Sequence, residues 1–200
     1  MRTTPTDMAA ISADNAAPEG RLGSHALVRG ASIAGLAVAA ALSDRFDRVT
    51  VVDRDMLPAA PVDRRAVAQG RHGHGLLASG LAAFERLCPN LESDLIAAGA
   101  VAGDVIGKVR WFQHGCYKAR FQSGLRGVLM SRPLLEGTIR ARVRQRANVR
   151  LVEGRHVIGL ICDRTATRVA GVRTRPSLDK RLRMADLVVD ASGRASRSPT

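Results

Sequence analysis

Two glycines and one acid carry the first chemical signal in this 200-residue chain. Gly30 and Gly35 bracket the run Gly30-Ala-Ser-Ile-Ala-Gly35, which follows one apolar stretch and opens another, and Asp53 stands 23 positions beyond Gly30. That combination suits a dinucleotide. Gly30 provides a tight turn, Gly35 lets a helix pack close against a strand, and the backbone N–H groups around Ile33 and Ala34, at the positive end of that helix, face a pyrophosphate. Ser32 occupies the place usually held by a second glycine, and its hydroxyl can hydrogen-bond the same pyrophosphate. A carboxylate at Asp53, with Arg54 beside it, accepts from ribose hydroxyls and repels a 2′-phosphate. The expected ligand is therefore an adenine dinucleotide without that phosphate, either FAD or NAD.

Other chemistries find less support. His72 and His74 have the spacing of a ligand pair, but nothing nearby supplies a third ligand at a sensible distance, so no metal centre is expected. No Ser/His/Asp arrangement stands out. The cysteines, Cys88, Cys116 and Cys162, are odd in number and far apart, which excludes a C-x-x-C pair and a disulfide framework. They read as small buried hydrophobes in a protein of the reducing cytoplasm.

The formal charge of +13 raises the question of nucleic acid. Apart from Lys108, Lys118 and Lys180, all 31 basic residues are arginines, and they are scattered along the chain. The densest run holds Arg140, Arg142, Arg144, Arg146 and Arg150; steps of two residues turn a helix by about 200°, so Arg140 and Arg144 face away from Arg142 and Arg146. No aromatics interleave with that run for base stacking and no nucleic-acid motif occurs, so nucleic acid is not an expected partner.

The elements that must position these residues follow from the apolar pattern. Hydrophobic residues make up 46% of the chain and charged ones 24%, enough for one domain with its own core. Aromatics are only 3%, so Val, Leu, Ile and Ala must build that core. No apolar run reaches eighteen residues, and no membrane span is expected. Residues 1–24 read as a disordered leader. Residues 25–29 form a first strand, the glycine run leads into a helix ending near Leu42, and residues 49–52 form a second strand closed by Asp53. A polar loop spans 54–73. Helices follow at 75–87 and 91–98, the second closed by Gly99. Trp111, Phe112, Tyr117 and Phe121 cluster around His114-Gly115, which predicts an inserted hairpin within 101–121. Ser131-Arg-Pro starts another helix, with Leu135, Ile139 and Val143 on one face. Strands are expected at 148–153, 157–161, 169–172 and 182–184, and a buried strand at 185–190 leads into Ala191-Ser-Gly193. Helices alternating with apolar strands argue for an α/β fold on a parallel sheet, with an antiparallel meander late in the chain.

Four segments, taken in order, resemble a known family. They are Val49-Thr-Val-Val-Asp-Arg-Asp55, Gln69-Gly-Arg-His-Gly-His74, Ser131-Arg-Pro-Leu-Leu-Glu136 and Ala185-Asp-Leu-Val-Val-Asp-Ala-Ser-Gly-Arg-Ala-Ser196. Together they look like the FAD-dependent monooxygenases and epoxidase-like oxidoreductases, relatives of the single-component aromatic hydroxylases, and the resemblance runs from Ala26 to Pro199. It implies a Rossmann-like FAD-binding domain and selects FAD over NAD. It also implies that Arg64 or Arg65, with Gln69, serves the flavin side of the cofactor. Arg132 would approach the pyrophosphate and ribityl chain, and the strand around Val157 would hold the adenine. His72 and His74 match a loop near the flavin ring. After the last strand the family's Asp-Gly pair is replaced by Ser192-Gly193 preceded by Asp190, so Asp190 and Gly193 are the matching cofactor positions.

The implied reaction is hydroxylation or epoxidation of an apolar or aromatic small molecule with NADH or NADPH and O₂. No protein nucleophile is required, because the flavin carries the chemistry. A flavin-dependent reductase of the geranylgeranyl-reductase type is the alternative activity. The family's second fingerprint, a Gly-Asp pair, is expected beyond residue 200, since Gly103-Asp104 lies upstream of the final strand. On this reading residues 25–200 are the amino-terminal part of the FAD domain, with 101–130 as an inserted substrate-domain hairpin. A truncated, inactive fragment is then the remaining alternative.

Overall fold

The computed structural model describes residues 20–64, 70, 72–176, 184–193 and 196. Its centre is a four-stranded parallel sheet made of β1 (Gly23–Arg29), β2 (Phe46–Val52), β8 (Val149–Val152) and β11 (Leu187–Asp190), in the order β11-β1-β2-β8. The middle of β1 shows why the sheet sits inside the molecule. Ala26, Leu27 and Val28 are all fully buried, so both faces of the strand are covered, as a parallel strand requires.

One face is covered by α1 (Ile33–Ser43) and α4 (Arg132–Arg144), with α2 (Ala78–Leu87) and α3 (Leu91–Ala97) packed beyond them. Ala26, Val28, Leu36, Val49, Leu135, Ile139 and Val143 belong to that core. The other face carries a smaller core of Leu27, Val52, Val172 and Ala185 beneath an antiparallel pair, β9 (His156–Cys162) and β10 (Val169–Arg175). Met184 bridges Gly171 and extends this pair toward a meander, while 182 and 183 lie outside the described residues.

A second, three-stranded antiparallel sheet has the order β3-β7-β4, from β3 (Gly73–Leu76), β7 (Arg126–Ser131) and β4 (Val101–Asp104). Its inner side presents Leu76, Val128 and Met130 to the main core. This sheet changes several sequence expectations. Residues 75–77 do not open a helix, because Gly73–Leu76 pairs with β7 and α2 begins at Ala78. The hairpin at 101–121 reduces to β5 (Phe112–Gln113) and β6 (Cys116–Tyr117), turning on His114 (φ 53°) and Gly115 (φ 80°). β4 is not part of it and pairs with β7 instead.

Three further expectations shift. β1 opens at Gly23, so Gly23 and Ser24 are already strand residues. Among the described residues β11 pairs with β1 alone, and it is half-exposed rather than buried. Of the cysteines only Cys88 is buried; Cys116 sits on the exposed hairpin and Cys162 at the exposed end of β9. Among the described residues no helix is long and apolar enough to cross a membrane.

The arginine run of α4 is consumed by structure. Arg140 pairs with Glu136 (3.3 Å) and donates to the Pro58 carbonyl (2.8 Å), Arg142 pairs with Asp94, and Arg144 pairs with Glu153 (2.6 Å). Arg146 donates to the Ala40 carbonyl (3.1 Å) and pairs with Asp44 (2.9 Å), while the Asn148 amide donates to the Ser43 carbonyl (2.7 Å). Together they satisfy the carbonyl end of α1, where positive charge is favoured.

Candidate functional site

The order β11-β1-β2-β8 places a topological switch at β1, since the chain runs from β1 toward β2 and returns to β1's other side only with β11. Open parallel sheets bind ligands at the carboxyl ends of their strands, at such a point. A cleft of about 180 Å³ lies there, lined by Arg29, Gly30, Ser32, Asp53, Arg54, Asp55, Arg64, Arg155, His156, Val157, Ala191 and Ser192.

Both glycines of the turn are required by space. Gly30 has φ 99°, and a Cβ on it would stand 2.8 Å from the Ala191 carbonyl oxygen. A Cβ on Gly35 would stand 1.8 Å from the Gly30 carbonyl oxygen. Ser32 is the N-cap of α1 with extended backbone, and its hydroxyl makes no capping bond. The first-turn N–H groups, including those of Ile33, Ala34 and Gly35, therefore have no helical partner and open toward the turn. The Ser32 hydroxyl instead donates to Glu136 (3.0 Å) and accepts from Arg132 (3.4 Å).

Beneath the turn lies a buried ionic cluster. Asp53 Oδ2 accepts the Ala31 N–H at 2.6 Å, and its Oδ1 accepts from Arg64 (3.1 Å) and from the Asp55 N–H (2.9 Å). Arg64 also donates to Asp55 (3.0 Å), to Glu136 (2.7 Å) and to the Ala31 carbonyl (3.1 Å). Burial disfavours the Arg64 cation, but its hydrogen bond to Glu136 and the field of Asp53 more than offset this and hold its pKa above the ordinary arginine value. Arg140 is pushed the other way, by burial first, with Glu136 opposing and Arg64 repelling it. In this cluster Asp53 retains acceptor capacity for about one further donor, since a carboxylate offers roughly four lone-pair sites.

The remaining expected positions fall around this centre. Arg54 lines the cleft and pairs weakly with Asp55 (3.7 Å). Val157 lines it from the start of β9. Asp190 accepts from Arg29 (3.1 Å) and from both the N–H (2.9 Å) and the hydroxyl (2.6 Å) of Ser192, and Gly193 follows at φ 74°. Arg132 opens α4, whose N-cap Ser131 accepts the Leu134 N–H (3.3 Å). The extended residue at this start is Ser131, and Arg132 already belongs to the helix. Arg65 and Gln69 lie outside the described residues.

His74 lies on β3, and burial together with the nearby Arg132 charge lowers its pKa. Sequence reasoning assigned no role to Glu136, Asp55, Arg29 or Arg155. Glu136 and Arg140 at i, i+4 were the available signal for one of them. Arg155 has a buried Nε without a hydrogen-bond partner, and it lines the cleft.

No protein-family model matches the chain. It is 40% identical over 202 residues to Protein Rv3254 of Mycobacterium tuberculosis, an alignment covering 90% of this chain and 40% of that protein. Among solved structures it superposes on PqsL, a probable FAD-dependent monooxygenase from Pseudomonas aeruginosa, with a TM-score of 0.58 and 17% identity over 78% of this chain and 39% of that one. The tetrameric 2-methyl-3-hydroxypyridine-5-carboxylic acid oxygenase gives 0.58 and 20% over 85% and 38%. The flavin-dependent monooxygenase PieE, solved with FAD and substrate, gives 0.51 and 20% over 78% and 27%. The chain thus spans about 40% of the length of the curated relative it matches. Its fold is shared with the FAD-dependent monooxygenases.

Proposed function

We propose that this chain is the dinucleotide-binding portion of an FAD-dependent monooxygenase acting on a small apolar or aromatic molecule, with NADH or NADPH as reductant. The observation that carries this reading is the turn at Gly30–Ser32. Its glycines let the Ala191 and Gly30 carbonyls pack where any Cβ would strike them, which holds the start of α1 against the ends of β1 and β11, and the first-turn N–H groups of α1 there have no helical partner. Arg132 reaches the same turn from the start of α4.

The residues present fit FAD. The N–H groups of α1 and the guanidinium of Arg132 would take the pyrophosphate, since a fork of N–H donors matches phosphate oxygens. The remaining acceptor site of Asp53 would take a ribose hydroxyl. Val157 and His156 would flank the adenosine end, beside Arg155. Asp190 holds the Ala191–Ser192 segment against Arg29, which fixes the far wall of the cleft. When bound, the flavin supplies the redox chemistry and oxygen activation. The work of the chain itself is to orient the cofactor and hold its phosphates in a site fixed in advance. The three free thiols fit a reducing cytoplasm.

The test is a titration of the chain with FAD, followed by flavin fluorescence. Saturable binding is expected, weakened about tenfold or more by Arg132→Ala, by the size of a charged hydrogen bond. A folded chain that shows no saturable binding, or an Arg132→Ala variant that binds as well as the parent, would remove the reading.

A further inference from the structure

The outward face of the β3-β7-β4 sheet carries a cavity separate from the dinucleotide cleft. Its volume is about 380 Å³, within the range of small-molecule pockets. Gly75, Gly103 and Gly127 form its floor, one from each strand, with Gly103 directly paired to Gly127 and Gly75 to Leu129. None of the three has a positive φ, so the backbone does not demand glycine at any of them. Three glycines on one sheet face weaken the strands, and neighbouring side chains already lie close over them, a Cβ standing 3.2 Å from Leu129 Cδ2 at Gly75 and 2.9 Å from Val105 Cγ2 at Gly127.

The walls are apolar: Leu77, Val101, Leu129, Val109 and Trp111. The overhanging segment 105–111 is a built wall. The Trp111 indole N–H donates to the Val105 carbonyl (3.3 Å), and Arg120 donates twice to the Gly107 carbonyl (3.1 and 2.9 Å). Asp104 anchors the segment by accepting the N–H groups of Ile106 (3.0 Å) and Gly107 (2.6 Å), and it ties in Ser123 and Gly124 as well.

Two charged residues line the cavity, and they are not equivalent. The Asp104 carboxylate is engaged by the donors of its own loop, which draws its charge away from the cavity. Lys108 lays its stem across Gly103, where a Cβ would stand 3.1 Å from the Lys108 Cγ, and its ammonium is exposed at the rim. An apolar chamber with one cation at its edge fits an apolar molecule that carries one negative group.

We propose that this cavity binds a small apolar monocarboxylate, its hydrocarbon or ring on the glycine floor against Leu129 and Trp111, and its carboxylate at Lys108. β7 connects the cavity to the cofactor cleft, because it floors the cavity at Gly127 and runs directly into Ser131 and Arg132. As the substrate pocket of the reaction, this assignment rests on the flavoenzyme reading; as a ligand pocket it does not.

Trp111 is the only tryptophan in the chain, so its emission reports occupancy without any flavin. The experiment titrates the chain with 4-phenylbutyrate and with its uncharged amide. Saturable changes are expected for both, with the acid tighter by about three- to fivefold, the scale of an exposed ion pair. Lys108→Gln should abolish that preference and leave amide binding unchanged, and Gly75→Val should abolish both signals by filling the floor. Equal affinity for acid and amide in the parent chain would overturn the carboxylate assignment. Absence of any saturable change in the folded parent, or unchanged binding in Gly75→Val, would overturn the cavity itself. A failed FAD titration with intact phenylbutyrate binding would sink the flavoenzyme reading alone.

Discussion

Asp53 and Arg64 hold the Ala31 backbone at both ends: Asp53 accepts the Ala31 N–H at 2.6 Å, Arg64 donates to the Ala31 carbonyl at 3.1 Å, and the two meet each other at 3.1 Å. The Gly30–Ser32 turn is therefore fixed by a buried ion pair of the protein itself. An acid expected from sequence to serve a ribose hydroxyl spends most of its acceptor capacity on the protein.

Removing Arg64 tests that role. Arg64→Ala leaves Asp53 and Glu136 buried and short of a partner, and should cost about 3–5 kcal/mol. Arg64→Lys, with one ammonium in place of a fork, should recover only part of this. Urea unfolding of the three proteins checks the order, and equal midpoints would show that the cluster contributes nothing.

Gly35 should tolerate no side chain. A methyl group 1.8 Å from the Gly30 carbonyl oxygen must displace α1 from β1, and Gly35→Ala should lose about 3 kcal/mol. Gly73→Ala is the control, since nothing lies within 4 Å of the added methyl. Thermal unfolding by circular dichroism separates the two.

Asp104 links loop order to acid. The Gly107 N–H, against the opposing cost of desolvation and with help from Ser123, Gly124 and Ile106, holds its carboxyl at about 2. The folded state thus binds its proton later than the unfolded chain, whose Asp titrates near 3.9. The stability Asp104 provides is complete above about pH 4 and is lost as pH falls toward 2. Asp104→Asn should flatten that part of the acid-unfolding curve. It should also raise the mobility of Trp111, read as fluorescence anisotropy.

His25 acts at milder pH. Burial pushes its imidazole below the ordinary value; the hydrogen bond to the Met184 carbonyl opposes this, and Arg48 adds to the lowering. With Nδ1–H donating to Met184 at 2.5 Å, Nε2 is left to accept the Thr50 hydroxyl at 2.8 Å, which the neutral ring does well. The contribution of His25 is full above about pH 6.5 and declines below it, because the unfolded chain takes up a proton that the folded one resists. Comparing the urea midpoints of the parent and His25→Gln at pH 7.5 and 5.5 checks this. The parent should lose more on acidification, and parallel losses would refute it.

The β-α-β unit was legible because its signals are local: two glycines at fixed spacing, the apolar run Ala26-Leu-Val28 in β1 and an acid at the end of β2. α4 was legible for the same reason, through Pro133 and the stripe Leu135, Ile139, Val143. β3 was not, since Gly73-His-Gly-Leu76 has two glycines and only one core residue, Leu76. Its strand state, like that of β7, comes from partners distant in sequence. The ionic cluster was legible in part. Arg64 was a named candidate, but its contact with Glu136 spans 72 positions and leaves no local pattern. The cysteines misled because exposure at Cys116 and Cys162 is decided by hairpin and strand-end placement, not by residue type.

The pairing of β1 with β11 has a consequence for biosynthesis. Arg29 and Asp190, which join the two strands, are 161 positions apart. A ribosome adding about 5–20 residues per second takes roughly 8–32 s to cover that interval. For that time the nascent β1 has β2 on one side and an open edge on the other, the state most prone to pairing with a neighbouring chain. The Gly30 turn also lacks its backing from Ala191 until then. The cleft at the Gly30 turn thus cannot close until β11 has been made, so a chaperone or tethered partner that shields the β1 edge would act before any ligand of that cleft does.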